Sequence, residues 1–163
     1  LTDHWGYTKE DICVKPAKEL VEMLIDCRKF NCNLLLNTGL KGDGYIPEAE
    51  KCNLLMLGRW IKVNKNFIYN IVSADVEAEN ADLVTDGKYY YAIIKKVPMC
   101  TNTNVARAEE VKNVIIKTDK RIVGAKWLDN GKKVEKVKKN EFAVAPFDYG
   151  YSYGARVARF ELK

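Results

Sequence analysis

The stretch "CNLLLNTGLKGDGYIP", Cys32 to Pro47, constrains this chain more than any other. Leu34, Leu35 and Leu36 stand side by side with no polar residue between them. A strand on an open sheet alternates apolar and polar residues, because successive side chains point to opposite faces. A run apolar on both sides belongs to a parallel sheet covered on both faces. Such a strand needs parallel neighbours, and the rest of this chain offers few.

The flanking segments read as helices. Pro16 suits the start of a helix running to about Lys29, since its missing N–H is not needed there. Ala17, Leu20, Val21, Leu24 and Cys27 recur at helical spacing and form one apolar face. Pro47 opens a second helix, Glu48 to about Asn64, with Glu48 and Glu50 at its positive end. Cys52, Leu55, Met56, Trp60 and Val63 are its expected buried face. Asn64 or Asn66 is its expected stop, because asparagine tolerates the left-handed conformation.

After Val72 the pattern changes to short strands. "YYYAIIKKV", "VKNVIIK", "RIVGAKWL", "EFAVAP" and "ARVARFEL" are rich in β-branched and aromatic residues. Asp129-Asn130-Gly131 between "WL" and "KKV" is a hairpin signal. In "ARVARFEL" the expectation is Val157 and Phe160 inward, Arg156 and Arg159 outward. Five or six such strands predict an antiparallel sandwich. The expected division is therefore 1–72, helical with one buried strand, and 73–163, a β-sandwich.

Composition excludes several function classes. The chain has 163 residues, 47% hydrophobic and 30% charged, which suits a soluble fold with a real core. No run approaches the roughly 18 apolar residues of a membrane span, so no membrane partner is expected. The net charge of +5 gathers partly in "GKKVEKVKKNE", Gly131 to Glu141. That stretch has no interleaved aromatics and contains Glu135 and Glu141, so it reads as a lysine-protected sheet edge rather than a nucleic-acid surface. The five cysteines, Cys13, Cys27, Cys32, Cys52 and Cys100, match no zinc spacing, and His4 is the one histidine. No metal and no cofactor is expected. Cys27 and Cys52 are expected as reduced, buried thiols, with a Cys27–Cys32 bridge as the alternative. Gly39, Gly42 and Gly44 follow neither the P-loop nor the dinucleotide order, so they read as turn formers.

Three motifs appear in order: "HWGY" (His4–Tyr7), "NLLLNTGLKGDGYIP" (Asn33–Pro47) and "LGRWIKVNKNFIYN" (Leu57–Asn70). Together they resemble the end of the catalytic domain of α-L-fucosidases, glycoside hydrolase family 29. That family reads Trp-Gly-Tyr, then a Gly-Gly-Asn-Leu-Leu-Leu-Asn strand, then Asp-Gly, Ile-Pro and a helix, with a β-sandwich after. Here Asn31-Cys32 replaces the Gly-Gly, Leu40 a proline, His4 a serine and Lys65 a glycine. The implied fold class is α+β: the terminal βα segment of a (β/α)₈ barrel followed by an antiparallel β-sandwich. A barrel of that kind takes about 250 residues. The resemblance thus implies a C-terminal portion of a longer hydrolase, whose remaining strands lie upstream of Leu1.

The resemblance also implies the chemistry. The family hydrolyses α-L-fucosides with retention, which takes two carboxyl groups about 5 Å apart. Both are expected upstream, so no residue here is expected to be catalytic and the chain alone is expected to be inactive. Trp5 takes the family's aromatic position against the fucose ring, and the adjacent His4 is a candidate for a sugar hydroxyl. The plainer reading is that Trp5 packs beneath the barrel mouth and His4 is a surface residue. Asn37 is expected to tie down the following loop through its side chain. The expected partners are a fucosylated glycan and the rest of the barrel, or a second copy through exposed apolar surface. The alternative to a hydrolase portion is a sandwich that binds glycans through Tyr89–Tyr91, Tyr149, Tyr151 and Tyr153, or a purely structural module. The localisation is not readable; the resemblance is compatible with secreted, periplasmic or lysosomal-like settings.

Overall fold

The computed structural model describes residues 1–10, 13–95, 97 and 112–163. Among the described residues, helices α1 (Ala17–Lys29) and α2 (Glu48–Ile68) precede nine strands. Strands β1 (Val72–Ser73), β3 (Asp82–Thr85), β4 (Tyr90–Lys95), β9 (Ala155–Leu162) and β6 (Ile122–Trp127) form one sheet in that spatial order. Strands β2 (Glu77–Glu79), β5 (Val114–Lys117), β8 (Glu141–Phe142) and β7 (Lys136–Lys138) form the second. Every pairing is antiparallel.

The five-stranded sheet is covered on both faces. Val84, Tyr91, Ile93, Ala155 and Val157 face a core shared with Leu20, Val21, Ile25, Leu57, Trp60, Phe67 and Ile68 of the helices. Leu83, Ala92, Ile94, Ala158 and Phe160 face the other core, with Val114, Ile116, Trp127 and Phe142. The alternation follows from the two-residue side-chain period. Ile93 lies opposite Val157 and Ala92 opposite Ala158, so each β4–β9 pair serves one face.

This layering corrects the expectation for "ARVARFEL". Arg156 is buried, 2% exposed, on the same side as Ala158 and Phe160. Its guanidinium pairs with Asp129 at 3.1 Å and donates to the Ala145 and Pro146 carbonyls, each at 2.6 Å. It lies 4.1 Å from the Trp127 ring centroid. A central strand has no solvent face, so the arginine needs an internal partner set.

Helix α1 forms as the spacing predicts, with Pro16 just outside it in extended backbone, accepting from Glu19 and Leu20. Helix α2 departs from expectation twice. It continues past Asn64 to Ile68, because Phe67 and Ile68 still belong to its buried face. Asn64 is buried within it and donates to the Trp60 carbonyl four residues back. The buried face is also rotated: Glu50, Leu57, Trp60, Asn64, Phe67 and Ile68 are inside, while Leu55 and Met56 are exposed. Of the expected set only Trp60 is buried. Cys52 is an exposed free thiol and Cys27 a half-buried one, without a bridge to Cys32; Cys100 lies outside the described residues.

Asn33–Thr38 forms no strand among the described residues. It runs extended, with Leu34 and Leu36 half-buried and Leu35 82% exposed. A strand is defined by a ladder of a neighbour's N–H and C=O groups, and among the described residues this segment pairs with no strand. The Asp129–Gly131 turn is found: Lys126 bridges Lys133, and Gly131 adopts φ 71°. The lysine stretch supplies β7, an outer strand of the second sheet, with Lys136, Val137 and Lys138 exposed. No helix among the described residues is long and apolar enough to cross a membrane.

Candidate functional site

The N-terminal segment returns to the leucine stretch. The Leu1 nitrogen donates to the Asn37 carbonyl at 2.6 Å, and the Lys15 N–H donates to the Leu1 carbonyl at 2.9 Å. Between them opens a groove of about 280 Å³, lined by Asp3, His4 and Trp5 on one side and Leu35, Leu36 and Asn37 on the other. Lys15 and Met23 also line it. The motif that carries the expected substrate contacts, His4 and Trp5, thus shares one surface with the leucine stretch.

Four contacts hold this arrangement. The Thr2 hydroxyl donates to the His4 carbonyl at 3.2 Å and accepts from the His4 N–H at 3.4 Å, which fixes a tight bend before Trp5. Gly39 lies against the Gly6–Tyr7 backbone so closely that a Cβ there would sit 2.3 Å from the Tyr7 nitrogen. Glycine is used here for close approach, not for a turn. The Thr38 hydroxyl donates at 2.5 Å to Glu50, a carboxylate on α2 that is only 4% exposed. Lys15, whose Nζ is 3.4 Å from Asp3, is itself anchored: its carbonyl accepts from the Asn53 amide at 2.9 Å.

Trp5 is 99% exposed, so its ring packs beneath nothing among the described residues. His4 is exposed beside it. The expected role of Asn37 is filled differently: its carbonyl makes the tie to Leu1, and the neighbouring Thr38 holds the loop through its hydroxyl. Thr38 and Glu50 were not expected from the sequence. The usable signal was the spacing of Glu50, Leu57 and Asn64, which puts all three on one helical stripe.

The glycine loop consumes its own donors. The Lys41 N–H donates to the Tyr45 carbonyl, the Gly44 N–H to the Lys41 carbonyl, and the Tyr45 N–H to the Asp43 carboxylate. Gly44 adopts φ 82°. These N–H groups are not free to cradle a phosphate. Among the described residues, no group of three or more His, Cys, Asp or Glu side chains is placed to hold a metal ion.

Comparison with known proteins follows the same outline. Residues 1–66 match the family model described as alpha-L-fucosidase. Plasma alpha-L-fucosidase of Rattus norvegicus is 33% identical over 106 residues, 58% of this chain and 22% of that protein. Tissue alpha-L-fucosidase of Mus musculus is 36% identical over 67 residues, 40% of this chain and 15% of that protein. Among solved structures, alpha-L-fucosidase isoenzyme 1 from Paenibacillus thiaminolyticus superposes with a TM-score of 0.78 at 25% identity, over 100% of this chain and 38% of that one. The Thermotoga maritima alpha-fucosidase in complex with fucose shares the fold with a TM-score of 0.69 at 22% identity, over 96% of this chain and 37% of that one. The chain therefore spans well under half the length of each relative. It is similar to the α-L-fucosidases over residues 1–66 and shares the fold of part of their barrel-and-sandwich architecture.

Proposed function

We propose that this chain is the sugar-contacting rim and supporting sandwich of a retaining α-L-fucosidase, with both reacting carboxyl groups supplied by the rest of the barrel. The observation that carries this reading is the groove joining His4 and Trp5 to Leu35–Asn37. Trp5 presents a free aromatic face, suited to the apolar side and methyl group of a deoxysugar. His4 offers a ring nitrogen to a hydroxyl. The one carboxylate in the groove, Asp3, pairs with Lys15 and has no acid partner for double displacement.

Residues 1–72 act as barrel and 73–163 as sandwich in this reading. Exposed Leu35, Leu40 and Tyr45, with Cys52 and Leu55 in the first half of α2, are the surface the remaining barrel covers. Without that cover the chain self-associates.

Two assays test it. The purified chain is given an aryl α-L-fucoside at high protein concentration; no turnover is expected, and robust hydrolysis overturns the placement of the carboxylates. The intact polypeptide is then followed by NMR, where α-L-fucose is expected as the first-formed anomer. A β-first product overturns retention. In the intact polypeptide Trp5→Ala lowers kcat/KM at least about tenfold, equivalent to about 1.4 kcal/mol of transition-state binding. An unchanged kcat/KM removes Trp5 from the site.

A further inference from the structure

A second groove, of about 450 Å³, opens where the 148–154 loop meets the two helices. Val21 and Met56 line part of it, and Lys18 of α1 and Arg59 of α2 add two cations. Tyr151, Ser152 and Tyr153 complete it. The tyrosine rings are 6.0 Å apart and inclined at 36°, a shallow aromatic cleft.

The loop is built to hold this shape. Gly150 and Gly154 bracket the tyrosines at φ 85° and 79°, where side chains are strained. At Gly154 an added Cβ would lie 3.2 Å from the Lys18 side chain, so the loop presses directly on α1. Tyr153 sets its ring edge-on to Phe147 at 5.8 Å. The Tyr151 N–H donates to the Asp148 carbonyl at 3.1 Å. Just past the loop, the Trp60 indole holds the Ala155 carbonyl.

The charge in the groove is one-sided. No carboxylate lines it, and neither Lys18 nor Arg59 forms an ion pair among the described residues. The acids on the far side of the tyrosines are already engaged, Asp129 by Arg156 and Asp148 by Lys132. Two uncompensated cations next to an aromatic cleft attract an anion attached to a ring with an apolar face.

We infer that this groove binds an acidic sugar residue, a pyranose carrying a carboxylate or sulfate. The ring rests on Tyr151 and Tyr153, its acid group meets Arg59 and Lys18, and Ser152 adds a hydroxyl contact. The choice of a sugar rests on the glycan reading above; the acid group and the aromatic contact rest on the groove alone.

The test is an amide-shift NMR titration of the chain with four probes. These are methyl glucuronide, galactose 6-sulfate, neutral methyl galactoside and inorganic sulfate. Expected are millimolar shifts at Lys18 and Tyr151–Gly154 from one or both acidic sugars, which also tells carboxylate from sulfate. Binding of the acidic sugar is at least about tenfold tighter than of the neutral one, about 1.4 kcal/mol. Arg59→Gln and Tyr151→Ala each weaken it about as much; both side chains line an open groove, and spectral dispersion verifies folding. Trp5→Ala leaves it unchanged, so failure of the Trp5 site and failure of this one are told apart. The inference is overturned by absence of shifts from both acidic sugars, by equal affinity for the neutral sugar, by inorganic sulfate binding as tightly as the sulfated sugar, or by indifference to Arg59→Gln.

Discussion

The indole N–H of Trp60 donates to the Ala155 carbonyl at 2.9 Å, across 95 residues of sequence. The bond joins the middle of α2 to the first residue of β9, and both partners are about 1% exposed. Trp60 also meets Phe67 edge-on at 6.3 Å, and Phe67 meets Tyr91 of β4 at 5.1 Å. Helix and sheet therefore share one aromatic core with that directional bond through it. The bond helps set how the helical segment, and the groove beside it, sits on the sheet.

Trp60→Phe separates the bond from the packing. It leaves the Ala155 carbonyl buried without that donor, at a cost of about 1–3 kcal/mol. Trp60→Ala adds a cavity and costs about 3–5 kcal/mol. Urea unfolding followed by circular dichroism gives both values. A Trp60→Phe cost near zero would mean that the bond contributes nothing beyond the ring.

Arg156 and Asp129 form the buried pair of the sandwich, with side chains 1% and 11% exposed. Asp129→Ala leaves the guanidinium inside with only the Ala145 and Pro146 carbonyls, and costs about 3–5 kcal/mol. Arg156→Met removes the charge but strands two carbonyls and Asp129. A double-mutant cycle is expected to show strong coupling, with the double variant less destabilised than the sum of the singles. Strict additivity would show that the pair does not act as a unit.

These residues also show what could be read in advance. Helix α1 and strand β9 were legible almost to the residue, α1 from one helical period after Pro16 and β9 from its run of β-formers, although its period is imperfect. Helix α2 was legible in existence but not in orientation, since apolar residues occupy two of its sides and periodicity alone cannot rank them. The buried stripe runs through Glu50 and Asn64, polar residues that a search for apolar faces passes over. Arg156 was misplaced for the same reason: strict two-residue alternation groups it with Ala158 and Phe160, but its charge argued for solvent. Strands β1 to β3 are two to four residues long and carry little pattern of their own. Their pairing is set by tertiary contact. Trp5 and His4 were legible as site candidates only through their motif; their meeting with Leu35–Asn37 depends on the backbone contact at Gly39.

That contact gives a direct test. In Gly39→Ala the new methyl would lie 2.3 Å from the Tyr7 nitrogen and 2.4 Å from the Gly6 carbonyl carbon. Backbone atoms cannot yield as a side-chain end can, so the His4–Tyr7 segment must move. A cost of about 1–3 kcal/mol is expected, with amide shifts concentrated at residues 4–7 and 37–39. An unperturbed spectrum would show that the two segments are not in contact in solution.

The last prediction concerns pH. Lys29 and Lys95 both reach Asp82, and Lys95 also reaches Asp26 of α1 at 2.8 Å. The cluster ties the end of α1 to β3 and β4. Burial alone would raise the Asp82 carboxyl, but the hydrogen bond and charge of Lys29, followed by the charge of Lys95, outweigh it and hold the group below its ordinary 3.8. A depressed folded value means the carboxylate stabilises the fold above pH 3.8 and loses that contribution as pH falls through the lower folded value. Lys95 behaves in the opposite sense. Burial would lower it, yet Asp26 and then Asp82 raise it above 10.5, so its contribution holds below that pH and is lost as pH rises through the folded value. Asp82→Asn should therefore cost about 1 kcal/mol near pH 7 at low salt, a partly exposed network being worth no more. The deficit should shrink below pH 3.8 and in 1 M salt. Urea midpoints of the two proteins at pH 7 and pH 3, each with and without salt, measure it. A deficit that stays constant from pH 7 to pH 3 would mean that the asparagine disturbs packing and that the charge of Asp82 does not hold α1 to the sheet.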